Sequence, residues 1–495
     1  MAKLGLEDKV VNEEVMNKTI GRFKERNIKL PTFEELSDPS IIPEEIKEAL
    51  KNIDPNEPHP LNLYRINWYN QPDSREFGDT PYYFELPKEI TGVDAKIVVM
   101  SGAFFPMVQC HKVLAAYGCL APRLITGQFD PTEHKAIWPS TGNYCRGGVA
   151  VSRIMDCHGV AILPEEMSQE RFNWLEKWTM DPENDIFKTY GCESNVKEIY
   201  DKCAELDKDE HNIIFNQFCE FGNTLIHYLC TGKALENVFN DLKKTNPNLK
   251  LKGFTSATGS AGTISAGDYL KDHFKDCKIV AVEAAECPTL LNNGFGGHNI
   301  QGIGDKHIPY VHNVMSTDNV AAISDVSTDS LNILFNSKEG IKYLKEQKGF
   351  DDELIKNLSL MGLSSICNVI AAIKTAKYYE LTENDVVMTV ATDPATMYVT
   401  EIPKKIDKLY AGKFDEFDAA EAFGEHLKAV KTDLYSELTK IDRDRIFNLG
   451  YYTWVEQQGV ELADFNARKD LQFWKDLKRF IPVWNEMIKE FNSKI

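Results

Sequence analysis

The sequence predicts an α/β protein: a body of parallel sheet and covering helices, with helical extensions at both ends. Three observations predict it. Between Ala95 and Leu163, apolar strand-like runs alternate with helical patterns at the spacing of a parallel strand–helix–strand unit. The same alternation returns from Lys252 to Glu283 and again at Asp385 to Thr392. Outside roughly 76–400 it stops, and charged sequence with helical spacing takes over.

Residues 1–75 read as an N-terminal helical extension. Apolar spacing predicts one helix from Leu4 to Arg26 and a second from Pro31 to Leu50, punctuated at Pro43, before a proline-rich loop from Pro55 to Pro60. Asp79 to Leu86 alternates as a short strand, and Ala95 to Met100 is a strand ended by Ser101-Gly102. His111 to Leu120 reads as a helix with Lys112 in its first turn. A strand over His134 to Trp138 stops at Pro139, a helix follows over Cys145 to Met155, and His158 to Leu163 is the next strand. Helices at Ser168 to Lys177 and Ser194 to Lys208 precede a short strand within Ile213 to Phe218 and a helix at Gly222 to Leu229. Lys252 to Ala257 is a strand, Ala261 to Phe274 a helix, and Lys278 to Glu283 a strand. Ser316 to Thr328 reads as strand and loop, Leu331 to Glu346 and Ser364 to Glu380 as helices, and Asp385 to Thr392 as a buried strand. From about Ile402 the pattern is entirely helical, so 401–495 form a C-terminal extension.

Composition bounds the function. The 495 residues are 43% hydrophobic, which suits a large core in two or more domains, or one α/β body with additions. A formal net charge of -19 argues against a nucleic-acid partner, because phosphate neutralisation needs a basic face. No apolar run approaches the ~20 residues of a spanning helix, and Met1 to Arg26 has no apolar signal-peptide stretch. The 11 cysteines show no CxxC pair or Cys/His ligand spacing, which speaks for reduced thiols and against structural zinc. The expectation is a soluble cytoplasmic protein without a bound metal or a membrane partner.

Three stretches carry chemistry, and each follows a predicted strand, where ligands of open α/β sheets bind. Thr258-Gly259-Ser260-Ala261-Gly262-Thr263 passes from strand to helix, so small residues let backbone N–H groups converge on an anion at a helix start. It lacks the spacing of a dinucleotide fingerprint or a Walker loop. On its own it is equally a tight turn. Ser140-Thr141-Gly142-Asn143 offers two hydroxyls, an amide and a flexible glycine, which suit a carboxylate; alone, it is more simply a helix N-cap. Lys112 has apolar neighbours and a helix N-terminus beside it, both of which lower an amine's pKa, yet most lysines are solvated. Beside it, His111 reads as a cap or packing residue, and Cys110 and Cys145 as small buried side chains.

The order of lysine, Ser-Thr-Gly-Asn loop, glycine-rich turn and then His298-Asn299-Ile300-Gln301-Gly302-Ile303-Gly304 resembles the cysteine synthase and tryptophan synthase β-subunit superfamily, the fold type II pyridoxal phosphate enzymes. Thr80-Pro81, Gln217-Phe218, His227-Tyr228 and Thr231-Gly232 add to the resemblance, which spans roughly Thr80 to Tyr398. It implies two parallel-sheet subdomains of the tryptophan synthase β-like type. The catalytic core would be 76–400, with a mobile smaller subdomain, roughly 110–225, inserted in the larger one.

By resemblance, Lys112 would carry pyridoxal 5′-phosphate as a Schiff base and later shuttle the substrate's α-proton. Gly259, Ser260, Ala261, Gly262 and Thr263 would cradle the phosphate. Ser140, Thr141, Gly142 and Asn143 would bind the substrate carboxylate, with Asn143 also near the cofactor's phenolic oxygen; Gln217 and Gly302 complete the substrate side. The pyridine nitrogen would face Thr392 or Asp393. The implied activity is a lyase or synthase acting on a small amino acid by β-elimination or β-replacement through an aminoacrylate, in a homodimer. The family's Asn-Pro-x-x-Ser-x-Lys-Asp-Arg context reads here Phe105-Pro106-Met107-Val108-Gln109-Cys110-His111-Lys112-Val113-Leu114, and Ser260-Ala261 stand where two glycines are usual. Lys135 is therefore a second candidate lysine, and a catalytically silent binding or scaffold relative is the alternative function.

Overall fold

The structure is a computed structural model that describes residues 5–72 and 74–495; Leu4, where the first predicted helix begins, lies outside them. The chain lays down β1 (Tyr83–Leu86) and β2 (Lys96–Ser101), then crosses to a second sheet for β3 (Lys135–Pro139), β4 (His158–Pro164), β5 (Ile186–Thr189) and β6 (Asn212–Ile214). It returns for β7 (Lys250–Ala257), β8 (Lys278–Ala284), β9 (Asn319–Ile323), β10 (Asp385–Ala391) and β11 (Tyr435–Glu437). The larger sheet runs β1-β2-β10-β7-β8-β9-β11, and the smaller runs β5-β4-β3-β6. All pairs are parallel except the two edges, β1 on β2 and β11 on β9.

The central strands explain this arrangement. β2, β8 and β10 are near-continuous apolar runs and are buried along almost their whole length, as parallel strands covered on both faces must be. Helix Leu363–Tyr378 lies across β7 and β10 on one face. In the smaller unit, helices Lys112–Ile125 and Asn143–Ile154 pack against each other. Gly147 permits that approach: a Cβ there would sit 2.7 Å from the Lys112 carbonyl oxygen. Among the described residues no single helix is long and apolar enough to cross a membrane; the bent pair Asp352–Ser359 and Leu363–Tyr378 reaches that apolarity only jointly.

Several predicted elements change, each for a local reason. The first helix starts at Glu13, where the Asn12 side chain accepts from the Val15 N–H. Pro31 to Leu50 is not one helix but Phe33–Ser37 and Glu44–Leu50, separated by a tight turn at Pro39–Ile41. Pro39 and Pro43 have no N–H with which to continue a helix. The predicted helix Leu331 to Glu346 breaks at Ser337, whose hydroxyl caps a new helix through the Gly340 N–H. The helix expected from Ala261 begins at Ser265, because Ala261 takes φ +60°. Helices Gly232–Thr245 and Asp352–Ser359 were not predicted. The C-terminal stretch is not entirely helical: β11 closes the edge of the larger sheet.

The first helix of the N-terminal extension and the last of the C-terminal one meet on the outside of helix Lys112–Ile125. Helix Glu13–Arg26 packs on it, and helix Phe480–Ser493 sets Phe491 edge-on to Phe23 and Trp484 edge-on to Phe33. Asn485 accepts from the Phe33 N–H, and Asn492 both accepts from and donates to the backbone of Leu30. The Trp484 indole is fully buried and donates to the Glu7 carbonyl. Trp484→Ala is expected to cost about 3–5 kcal/mol of stability through the cavity it leaves. Chemical denaturation checks this, and an unchanged midpoint would show that the extensions are not part of the cooperative core.

Candidate active site

Lys112 opens its helix at the carboxyl end of β2's connection and is buried. Its Nζ donates to Ser260 Oγ at 3.0 Å and to Gln217 Oε1 at 3.2 Å, so three distant stretches meet at one amine. Burial pushes the amine below its usual pKa, opposed by the nearby Cys110, Asp305 and Glu193. Lys135, by contrast, starts β3, at the end of the strand away from Ser140. Five residues of strand put those two ends on the order of 16 Å apart.

The neighbouring groups behave as packing and support. Burial raises the Cys110 and Cys145 thiols to about 12, so neither is a thiolate near neutral pH. Cys145 Sγ contacts the Gly142 carbonyl at 2.9 Å. His111, held at about 3 by burial, stacks on Trp68 of the N-terminal extension and meets Thr263 Oγ1 at 2.9 Å.

Two adjoining cavities flank Lys112. The first is lined by Gly259, Ser260, Ala261, Gly262 and Thr263, with Thr392 at its wall. The second is lined by Ser140, Thr141, Asn143, Gln217, Gly302 and Asp305. Lys112, Gly259, Ser260 and Gly302 line both.

The first cavity has the chemistry of a phosphate cradle. Its turn follows β7 and precedes helix Ser265–His273, so a helix amino end and small side chains face the space. A Cβ on Gly262 would sit 2.0 Å from Asn223 Oδ1, an atom with no hydrogen-bond partner. Asn223 Nδ2 in turn donates to Ser260 Oγ and the Gln217 carbonyl. Ala261 holds the left-handed conformation that glycine adopts at no steric cost, a strain of roughly 1 kcal/mol. These features fit pyridoxal 5′-phosphate beside a reactive lysine.

The two residues considered for the pyridine nitrogen are separated. Thr392 lines the first cavity, its N–H tied to Ser365 Oγ at 3.0 Å. Asp393 lines neither cavity and turns into a buried network. Its Oδ2 accepts from Asn143 Nδ2 at 2.7 Å and from the Tyr398 hydroxyl at 2.8 Å, with the Arg171 guanidinium 3.5 Å away. Arg171 also bonds Gln301 and Ser168.

In the Ser140 loop, the roles divide. Ser140 Oγ accepts from the Gly142 and Tyr144 N–H groups, so it caps helix Asn143–Ile154 while also lining the cavity. Gly142 lines neither cavity and backs onto Arg171, where a Cβ would sit 2.4 Å from Cδ. Sequence reasoning did not single out Arg171, Glu193, Asn223 or Asp305. Only Asp305, next to the His298–Gly304 string, had a positional signal.

Asp305 gives a pH dependence. Burial lifts its carboxyl to about 7, against ~4 in an unfolded chain. The folded state therefore holds an extra proton between those values, and stability falls as pH rises through that window. D305N is expected to flatten the fall by on the order of a few kcal/mol. Glu283 and Asp329, also raised, keep some slope. Urea melts from acid to neutral pH measure it; an unchanged slope would place Asp305 in water.

Comparison with known proteins came to the same architecture. A cysteine synthase of Staphylococcus aureus is 29% identical over 276 residues, 55% of this chain and 78% of that protein. A cystathionine beta-synthase of Saccharomyces cerevisiae is 24% identical over 56% of this chain and 52% of its own length. Among solved structures, an O-acetylserine-dependent cystathionine beta-synthase from Helicobacter pylori superposes with a TM-score of 0.52 at 22% identity, covering 65% of this chain and 95% of that one. A cysteine synthase from Entamoeba histolytica gives 0.54 at 20% identity, over 71% and 93%. No protein-family model matches the chain.

Proposed function

From a divergent member of the fold type II pyridoxal phosphate superfamily, we propose an enzyme that removes the α-proton of a small amino acid and eliminates or replaces its β-substituent. The observation that carries this reading is Lys112, a buried amine of depressed pKa at the junction of two cavities, one with the chemistry of a phosphate cradle and one lined by hydroxyl and amide groups.

Pyridoxal 5′-phosphate, when bound, supplies an electron sink that acidifies the substrate's Cα–H. The chain's own residues do the rest. Gly259 to Thr263 would hold the phosphate, and Lys112 would hold the cofactor and move the proton at Cα. Thr141 and Asn143 orient the substrate carboxylate, and Ser140 braces their loop as its cap. Ser260 and Gln217 receive the Lys112 amine when it is free. Thr392, in the wall of the first cavity, would be the residue that holds the cofactor ring on that side, because Asp393 is committed to Asn143 and Tyr398. A homodimer in the cytoplasm belongs to the same reading, and light scattering and cell fractionation decide those two points.

The test begins with the purified protein incubated with cofactor. A yellow protein is expected, with borohydride fixing the label in the peptide that contains Lys112. K112A should lose the visible absorbance and slow turnover by about 10²–10⁴-fold or more. Turnover is measured on amino acids with β-leaving groups, by release of pyruvate, ammonia or sulfide and by replacement products. Label on Lys135, or a colourless wild-type protein, would defeat the assignment.

A further inference from the structure

Two buried carboxylates, Asp305 in the lining of the substrate-side cavity and Glu193 behind its wall, leave oxygens without a hydrogen bond. Asp305 lines that cavity, is 5% exposed, and its Oδ2 makes no hydrogen bond. Glu193, from the loop after β5, is fully buried against the Thr141 hydroxyl and the Gly302 N–H, both of which belong to the cavity wall. Even so, neither of its oxygens closes a hydrogen bond. A buried carboxylate left without donors costs several kcal/mol, so a fold retains a pair of them only where something else compensates.

The nearby cations act on these carboxylates through space, Arg171 on Glu193 and Lys112 on Asp305, but their hydrogen bonds go elsewhere. The Arg171 guanidinium bonds Tyr398, Gln301 and Ser168 and faces Asp393. Arg146 bonds Asn143 and the Val108 carbonyl. Lys112 donates to Ser260 and Gln217 and to neither carboxylate. Three buried acceptor oxygens therefore lack a hydrogen-bond partner: Oδ2 of Asp305, which lines the cavity, and both of Glu193, behind the Thr141 and Gly302 wall. A guest with three donors and a positive charge satisfies them, which is the description of a primary ammonium group.

We propose that Glu193 and Asp305 form a receptor for an ammonium group on the β-side of the substrate, so that the cavity takes an amino acid or acceptor bearing a second amine. This rests on the amino-acid chemistry proposed above and narrows it to a substrate class. Burial raises both carboxyls above the usual carboxylate range, and a cationic guest favours their ionised forms. A guest with an anionic β-group meets the two acids as repulsion once they ionise, and a neutral one leaves their oxygens open. The selectivity is thus built from an attractive site and a penalty on the wrong charge.

Titration calorimetry of the cofactor-loaded protein tests it, with 2,3-diaminopropionate, alanine, serine and aspartate as probes. The diamino acid is expected to bind at least about tenfold more tightly than alanine or serine, a difference of roughly 1.4 kcal/mol, with aspartate weakest. E193Q and D305N should each shrink the gap between 2,3-diaminopropionate and alanine. Equal binding of the probes, a preference for aspartate, or a gap that survives both substitutions would overturn the receptor. The two readings fail separately. A protein that never turns yellow rejects the cofactor assignment, and calorimetry on that colourless protein still reads the ammonium preference. A yellow protein without the preference rejects the receptor alone.

Discussion

A single buried carboxylate holds the site together. Asp393 lies after β10 of the larger sheet, and its Oδ2 accepts from Asn143, which opens the helix after β3 of the smaller one. Tyr398 donates to the same oxygen and Arg171 stands beside it, while Arg171 reaches on to Gln301 in the loop before Gly302. Separating the two sheets at this point would leave a charge unpaired in the interior, which costs about 3–5 kcal/mol. The loops that line both cavities are therefore fixed to one another before any ligand arrives. That order is what gives Lys112 a defined place between the cavities, and it is why Asp393 serves as an anchor while Thr392, one residue earlier, faces the cavity.

The extensions add a second constraint, from outside. Trp68 stacks on His111, donates to Thr231 and so braces the residue next to Lys112, while His111 passes the contact on to Thr263 in the cradle. At the other end of the chain, Trp454 donates to the Ile308 carbonyl and Arg468 to the Tyr310 carbonyl. Those carbonyls belong to the stretch that follows Asp305. Both terminal layers thus grip segments that lead directly out of the site. Because the two layers also share the Phe23–Phe491 and Phe33–Trp484 contacts, they act as one brace across the outer face of helix Lys112–Ile125.

How much of this was legible in the sequence follows from which forces are local. The apolar runs of β2, β8 and β10 declare buried parallel strands, and three motifs after strands declare a site, because strand ends and ligand loops coincide in such sheets. Glycine and proline punctuation was less reliable. Pro39 and Pro43 divide a helix that the apolar spacing joined, and Ala261 delays another by holding a conformation that its side chain does not advertise. β11 could not be read from Tyr435-Ser436-Glu437, since three residues carry no periodicity and the strand exists only because the edge of β9 offers it partners. The charged members of the site were hidden for a related reason. Arg171 sits in a helix with ordinary amphipathic spacing, and Glu193 in a polar loop, so each resembles a solvated residue until the fold buries it. Likewise nothing local in the sequence shows that Asp393, and not Thr392, meets a partner 250 residues away, Asn143.

Lys112 and the Gly259–Thr263 turn are together the proposed seat of pyridoxal 5′-phosphate. A crystal structure of the chain grown with that cofactor tests it most directly. Continuous electron density is expected from Lys112 Nζ into the first cavity, with the phosphate against the backbone of Gly259 to Thr263 and Thr392 beside the ring nitrogen. Cofactor density attached to Lys135, or lodged elsewhere with the Lys112 amine still on Ser260 and Gln217, would contradict it.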